Sequence, residues 1–377
     1  MTVHDGGRRM PADEEDGMSG PGRLVQNTRQ QADACRRLGS PLYGGLLEQI
    51  ADDIALGGVC AEVLAGREHS RIREAVPLRL MGAVHGLVLT GRAPELAGFF
   101  PSAGGTAPEH PEAAWPALRK AVAGHRQWIR HWLDRPPQTN EPGRASMLIA
   151  GILHALGDEP RPVRLLELGA SAGLNLRADR FRCTSAGFAW GPAGSPVQLD
   201  GAWRGPVPRW LARAAARHPS FPVAERRGCD PDPVDPLSAQ GALALRAYVW
   251  PDQAGRGARL EGALRIAAAV PAVVERRGAA DFLSAVRLEP GTLTVVWHSV
   301  MRQYVPEEEW RRVEAELDRL GGAADTAAGF AHIAFEPRRA QRLRGFLLSV
   351  RRDGGETEYL AEAAPHGLPA WTPVPVR

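Results

Sequence analysis

Val163-Arg-Leu-Leu-Glu-Leu-Gly-Ala-Ser-Ala-Gly-Leu-Asn175 is the stretch on which the reading of this chain turns. Val163–Leu168 is apolar apart from Arg164 and Glu167 and has strand character. Gly169 and Gly173 then frame small residues, and the pattern after them turns helical. Glycine lets a backbone turn sharply and come close to a ligand, and the free N–H groups opening the next helix face that ligand. A carboxylate at Glu167 suits a ligand carrying an ammonium group, which favours an amino-acid-bearing cofactor over a dinucleotide.

Downstream of the loop, short β-rich runs alternate with helical patterns. Val163–Leu168, Pro222–Glu225, Ala272–Glu275, Thr292–Trp297, Phe330–Phe335 and Phe346–Val350 read as strands. Ala258–Ala269, Ala280–Arg287 and Pro306–Leu320 read as helices between them. This alternation predicts βαβ units and a doubly wound, mostly parallel α/β sheet. A β-hairpin insertion is expected at residues 181–222, with Trp190-Gly-Pro192 in its first part.

Upstream of residue 160 apolar residues recur at helical spacing. Helices are expected over Leu24–Leu38, from Ser40-Pro41 by an N-cap and a first-turn proline, and over Pro77–Leu89, Glu112–Leu133 and Gly143–Leu156. The expected organisation is a disordered tail over residues 1–22, a helical domain over 23–160 and the α/β domain over 161–377.

Composition narrows the function classes. The net charge of +3 over 377 residues gives no electrostatic case for nucleic acid or a membrane surface. The four cysteines show no C-x-x-C spacing, so a reducing, cytoplasmic setting is expected and a zinc site is not. The longest apolar run, near Ser146–Leu156, is too short to span a bilayer.

With Glu167, Gly169 and Gly173 the loop spells E-x-G-x-x-x-G and resembles the first motif of class I S-adenosylmethionine-dependent methyltransferases, with Ala170 and Ser171 where a middle glycine is usual. That resemblance implies S-adenosylmethionine as cofactor and a Rossmann-like sheet. It implies cofactor contacts at Glu167, Gly169, Ala170, Ser171, Gly173 and Asn175. Asp230, closing Glu225-Arg-Arg-Gly-Cys-Asp230, would accept ribose hydroxyls, although it lies much further on than the usual spacing of about 20 residues; Asp200 is the other candidate. Asp281 would accept the adenine amino group while Phe282 packs on the ring, and N-capping of the following helix is an equal role for Asp281. In Leu293-Thr-Val-Val-Trp-His298 through Tyr304-Val-Pro306, the resemblance sets His298, with Tyr304, beside the transferred methyl as candidate catalytic groups. The acceptor would be a small molecule.

The same loop also reads G-x-S-x-G, the nucleophile elbow of α/β-hydrolases, with Ser171 as nucleophile. A hydrolase elbow follows several strands, whereas helices precede this one. A nucleoside-binding protein without chemistry is the third reading. Asp230, Asp232 and Asp235 lack the glycine and terminal glutamate of a calcium loop. Asn140, Glu141 and Arg144 open the helix before the first strand and are expected near the cofactor. Tyr248-Val-Trp-Pro-Asp-Gln253 suits either an acceptor pocket or packing.

From Gln31 to about Thr372 the chain also resembles the actinobacterial family known as domain of unknown function 2332. The carriers are Gly39-Ser-Pro-Leu-Tyr43, Pro77–His85, Pro137-Gln-Thr-Asn-Glu141, Leu166–Asn175, Glu225–Asp230, Tyr248–Gln253, His298-Ser299 and Gly367. The resemblance implies that these segments belong together and transfers no activity.

Overall fold

A computed structural model describes residues 21–340 and 343–374. The expected tail falls almost wholly outside them. The described chain divides into two compact units, one running to Pro137 and taking up Ala247–Ala254, the other comprising Gln138–Arg246 and the chain from Gly255 on.

The second unit is built on eleven strands. They are β1 (Val163–Leu168), β2 (Arg182–Ser185), β3 (Phe188–Trp190), β4 (Gln198–Leu199), β5 (Val223–Asp230), β6 (Val273–Arg276), β7 (Leu293–Ser299), β8 (Gly329–Ala340), β9 (Leu343–Arg352), β10 (Thr357–Ala363) and β11 (Ala370–Trp371). Eight form one sheet in the order β11-β10-β9-β8-β7-β1-β5-β6. From β8 to β6 every neighbour pair is parallel, and β9, β10 and β11 follow antiparallel. Numbered by appearance, the five parallel strands lie 3-2-1-4-5, so the order reverses between β1 and β7. In open α/β sheets ligands bind outside the carboxyl ends of the strands at such a switch point.

Central parallel strands are buried on both faces, and all six residues of β1 are buried, Arg164 and Glu167 included. Alternation along β8 divides its side chains between the two faces. Phe330 joins Leu166, Leu168 and Val296 in a cluster with Phe282 of helix Ala279–Ser284 and Trp310, Val313 and Leu317 of helix Glu307–Gly322. Ile333 faces the other way, onto Gly151 of helix Ala145–Leu156, where a Cβ would stand 2.6 Å from its Cγ2. That helix, grouped by the sequence reading with the helical half, thus packs in the sheet unit.

The insertion after β1 is larger than a hairpin. β2 and β3 form the hairpin, β4 adds parallel to β2, and helix Arg209–Arg217 follows. β10 and β11 escaped the sequence reading because Thr-Glu-Tyr-Leu-Ala-Glu-Ala is poor in β-branched residues.

The first unit is helical. Ser40 caps helix Pro41–Ala55 by accepting from the Tyr43 N–H, as its sequence predicts. The single helix expected over Glu112–Leu133 is instead three pieces, Pro111–Ala114, Trp115–Gly124 and Arg126–Leu133. Pro116 lies in the first turn of the second piece, Gly124 ends it, and His125 breaks the path with φ −130° and ψ 35°. Residues 247–254 complete this unit. Tyr248 fills the space a Cβ on Gly82 would need, and Trp250 lies 6.2 Å from Tyr43. Asp252 accepts from the Ser40 hydroxyl and the Leu42 N–H, and His85 bonds the Ala247 carbonyl. The aromatic cluster Tyr248–Gln253 is therefore packing. No helix among the described residues is long and apolar enough to cross a membrane.

Candidate functional site

The loop after β1 crosses the carboxyl end of the sheet on three left-handed residues, Gly169 (φ 64°), Ser171 (φ 52°) and Gly173 (φ 64°). Its amides are largely spoken for within the protein. The Ala170 N–H donates to the Cys229 carbonyl, Ser171 N–H to Asp230 Oδ2 (2.9 Å), Gly173 N–H to the Ala170 carbonyl and Leu174 N–H to Asn140 Oδ1 (2.7 Å). The segment that follows, Leu174–Arg180, is a kinked 3₁₀ turn and not the expected α-helix. A cradle of free helical N–H groups is accordingly not what this loop offers. Gly173 has a packing reason as well: a Cβ there would sit 2.8 Å from Val274 Cγ2. Gly169 is approached by Met301, whose Cβ would stand 3.0 Å from an added Cβ.

The Ser171 hydroxyl donates to Gln138 Oε1 at 2.6 Å, and the Gln138 amide donates to the Asp232 carbonyl. Asp230 uses its second oxygen on the Asp232 N–H. Asp232 pairs with Arg276, and Asp235 accepts from the Leu237 N–H, a turn-capping role. Among the described residues no group of three His, Cys, Asp or Glu side chains could hold a metal ion.

Beneath the loop, buried polar atoms lack partners. Glu167, 2% exposed, is the register partner of Trp297 on β7. Its Oε2, the Asn175 Oδ1 and the Trp297 Nε1 are all buried without a hydrogen bond of good geometry. Burial pushes the Glu167 carboxyl up to about 8, against the pull of the Asn175 and Trp297 side chains and of Arg177. The indole N–H thus lies close enough to influence the acid without meeting bonding geometry. A neutral acid and an amide oxygen, both buried at a switch point, form an acceptor pair suited to a cationic donor.

His298, on the face of the sheet opposite Glu167, is fully buried. Its Nδ1 lies 2.7 Å from Glu336 Oε1 and its Nε2 lies 3.1 Å from His332 Nε2, the two imidazoles stacked at 26°. Glu336 Oε1 also accepts from the Met301 and Arg302 N–H groups, while Oε2 is buried and unpartnered. Burial acts to raise the Glu336 carboxyl, but the His298 bond and the two backbone donors bring it below its ordinary value. Burial and the neighbouring His298 hold His332 well below the usual histidine value. With Glu336 ionised and able only to accept, His298 donates to it through Nδ1. The sequence reading missed His332 and Glu336. Their signal was present in the alternation Phe330, His332, Ala334, Glu336, which sets two polar groups on one strand face. Tyr304, by contrast, is 60% exposed.

The remaining candidates lie elsewhere. Asp281 is exposed on the first turn of Ala279–Ser284 and pairs with Arg312. Phe282 is fully buried in the cluster with Leu283 and Trp310, so it presents no free ring face. Asp200 bonds the Thr184 hydroxyl at the small sheet.

Neither the curated proteins nor the solved structures compared with the chain give a match. A family model does, over residues 25–371, with β1, β5, β7, β8 and the segment Gln138–Arg144 all inside the match. By that match the chain belongs to the bacterial family described as "Uncharacterized protein conserved in bacteria (DUF2332)".

Proposed function

We propose that this chain binds S-adenosylmethionine at the carboxyl ends of β1, β5 and β7 and directs methyl transfer to a small-molecule acceptor. The observation that carries the reading is the buried acceptor pair, Glu167 Oε2 and Asn175 Oδ1, at the reversal of strand order. The class I methyltransferase resemblance of the loop and the 3-2-1-4-5 order support it together.

The cofactor supplies, when bound, a methyl group activated on a sulfonium sulfur. Glu167 and Asn175 would hold its ammonium group, beside which the Glu167 carboxyl would be ionised. Asp230 would hold the ribose hydroxyls with the lone pairs left by Ser171 and Asp232. His298 has both ring nitrogens engaged, so it orients Glu336 and does not touch the acceptor; Tyr304 is the group with reach. Rate enhancement comes mainly from positioning.

The hydrolase reading has one feature in its favour, the positive φ of Ser171. Against it, the hydroxyl donates to Gln138 and not to an imidazole.

Calorimetry with S-adenosylhomocysteine in buffers of different ionisation enthalpy tests the proposal. Binding with release of about one proton at pH 7 is expected, because a group titrating near 8 becomes ionised. Absence of binding heat at millimolar ligand would sink it.

A further inference from the structure

We infer that the turn Val300–Tyr304 is a strained gate that opens and closes over the β1 loop. Four non-glycine residues of the described chain have a left-handed φ: Ala75, Ser171, Val300 and Asp353. Val300, at φ 54°, is the β-branched one among them. A branched Cβ at such a φ is a genuine outlier, and it persists only where the surroundings over-determine the backbone. Here three consecutive amides are pinned to β8. The Val300 N–H donates to the Phe335 carbonyl at 3.0 Å, and the Met301 and Arg302 N–H groups donate to Glu336 Oε1 at 3.0 and 3.3 Å. The Arg302 guanidinium lies 4.9 Å from the centre of the Trp310 ring and pairs with Glu307.

What the turn covers gives the strain a use. Met301 is partly buried against the cluster that holds Leu166, Leu168 and Val296, and its Cβ lies 3.0 Å from where a Cβ on Gly169 would stand. Glu167 lies two residues before that glycine and Trp297 three before Val300. The Oε2 of Glu167, the Nε1 of Trp297 and the Oδ1 of Asn175 are closed to solvent. A ligand reaches them only after part of the rim has moved, and this turn is the part already under strain. Opening gives up two hydrogen bonds to Glu336 and releases the left-handed valine, so the strain offsets part of the cost. A packed turn with two such arrangements switches between them and does not deform continuously. Glu336 keeps His298 in both arrangements and acts as the latch. What passes the gate rests on the reading above, that the β1 loop takes S-adenosylmethionine; the gate itself does not.

Hydrogen–deuterium exchange of the full-length protein, resolved to residues 300–304, tests the gate, because native-state exchange reads the free energy of local opening. Val300→Asn and Val300→Gly both suit a left-handed backbone, the first without glycine's added freedom. Exchange of the segment is expected to slow about tenfold in these variants, the effect of relieving one left-handed β-branched residue. Glu336→Gln leaves a weaker, neutral acceptor and is expected to speed it. Unslowed exchange in both Val300 variants, or exchange of the segment only through global unfolding as measured in urea, overturns the gate. Stopped-flow binding of S-adenosylhomocysteine supplies the second reading, with association expected to slow by a similar factor in Val300→Asn. Slowed exchange with unchanged association overturns the turn's role in entry. Slowed exchange without any S-adenosylhomocysteine binding upholds the gate while the cofactor proposal falls.

Discussion

Glu167 and Glu336 are both buried at the carboxyl edge of one sheet, both have an unpartnered Oε2, and they carry opposite charge states. Glu336 accepts from His298 and from two backbone N–H groups, and these donors outweigh burial. Glu167 has an amide and an indole nearby, which do not. Burial penalises a carboxylate by a similar mechanism at either place, so the donors decide the outcome. A buried carboxylate with enough donors is structural. One without them is driven toward its neutral form.

The largest effect that could break this comparison is the pH dependence of Glu167. Its folded value of about 8 lies above the ordinary 4.5, so its contribution to stability is complete below 4.5 and is lost as pH rises through 8. The span is at most roughly 5 kcal/mol. Glu167→Gln should flatten that part of the stability–pH curve, followed by denaturant unfolding from pH 4 to 9; parallel curves would show that the acid is ionised after all. For Glu336 the sign is opposite, stability being lost as pH falls through its lowered value.

Glu336→Leu should cost about 3–5 kcal/mol in urea unfolding at pH 7, because His298 and two loop amides lose their acceptor. A loss under about 1 kcal/mol would mean that the carboxylate does not hold the Met301–Arg302 turn. Gly173→Ala comes next, at about 2–3 kcal/mol, from left-handed strain plus collision with Val274. A neutral Gly173→Ala would instead open that position as a probe of ligand binding alone. Smallest is Ser171→Ala, at about 0.5–1.5 kcal/mol for the lost bond to Gln138, with no covalent labelling of the wild type by a fluorophosphonate. Stoichiometric labelling at Ser171 would make the loop a nucleophile elbow.

The sheet's parallel half was legible because β1, β6 and β7 are compact β-rich runs between helical patterns; these three fall within a residue or two of the expected strands, while β5 and β8 run five residues past theirs. The antiparallel half was less so. β9 showed its apolar core, but β10, Thr-Glu-Tyr-Leu-Ala-Glu-Ala, is poor in β-branched residues and pairs by position rather than propensity. Within the site, Glu167 and the glycines could be found because they are contiguous. Gln138 could not, since it meets its partner Ser171 across 33 residues of chain. Local pattern carries no information about such pairings.

The strap Ala247–Ala254 sets a schedule for synthesis. The cap that Asp252 gives Ser40 spans 212 residues, and the slot over Gly82 waits for Tyr248. A nascent chain released only as far as Pro137 has its helices but not their last aromatic wedge, so the helical unit cannot reach its final packing until most of the protein has left the ribosome. Chains stalled or clipped before residue 247 would leave apolar surface at that slot uncovered, a natural target for quality-control proteases.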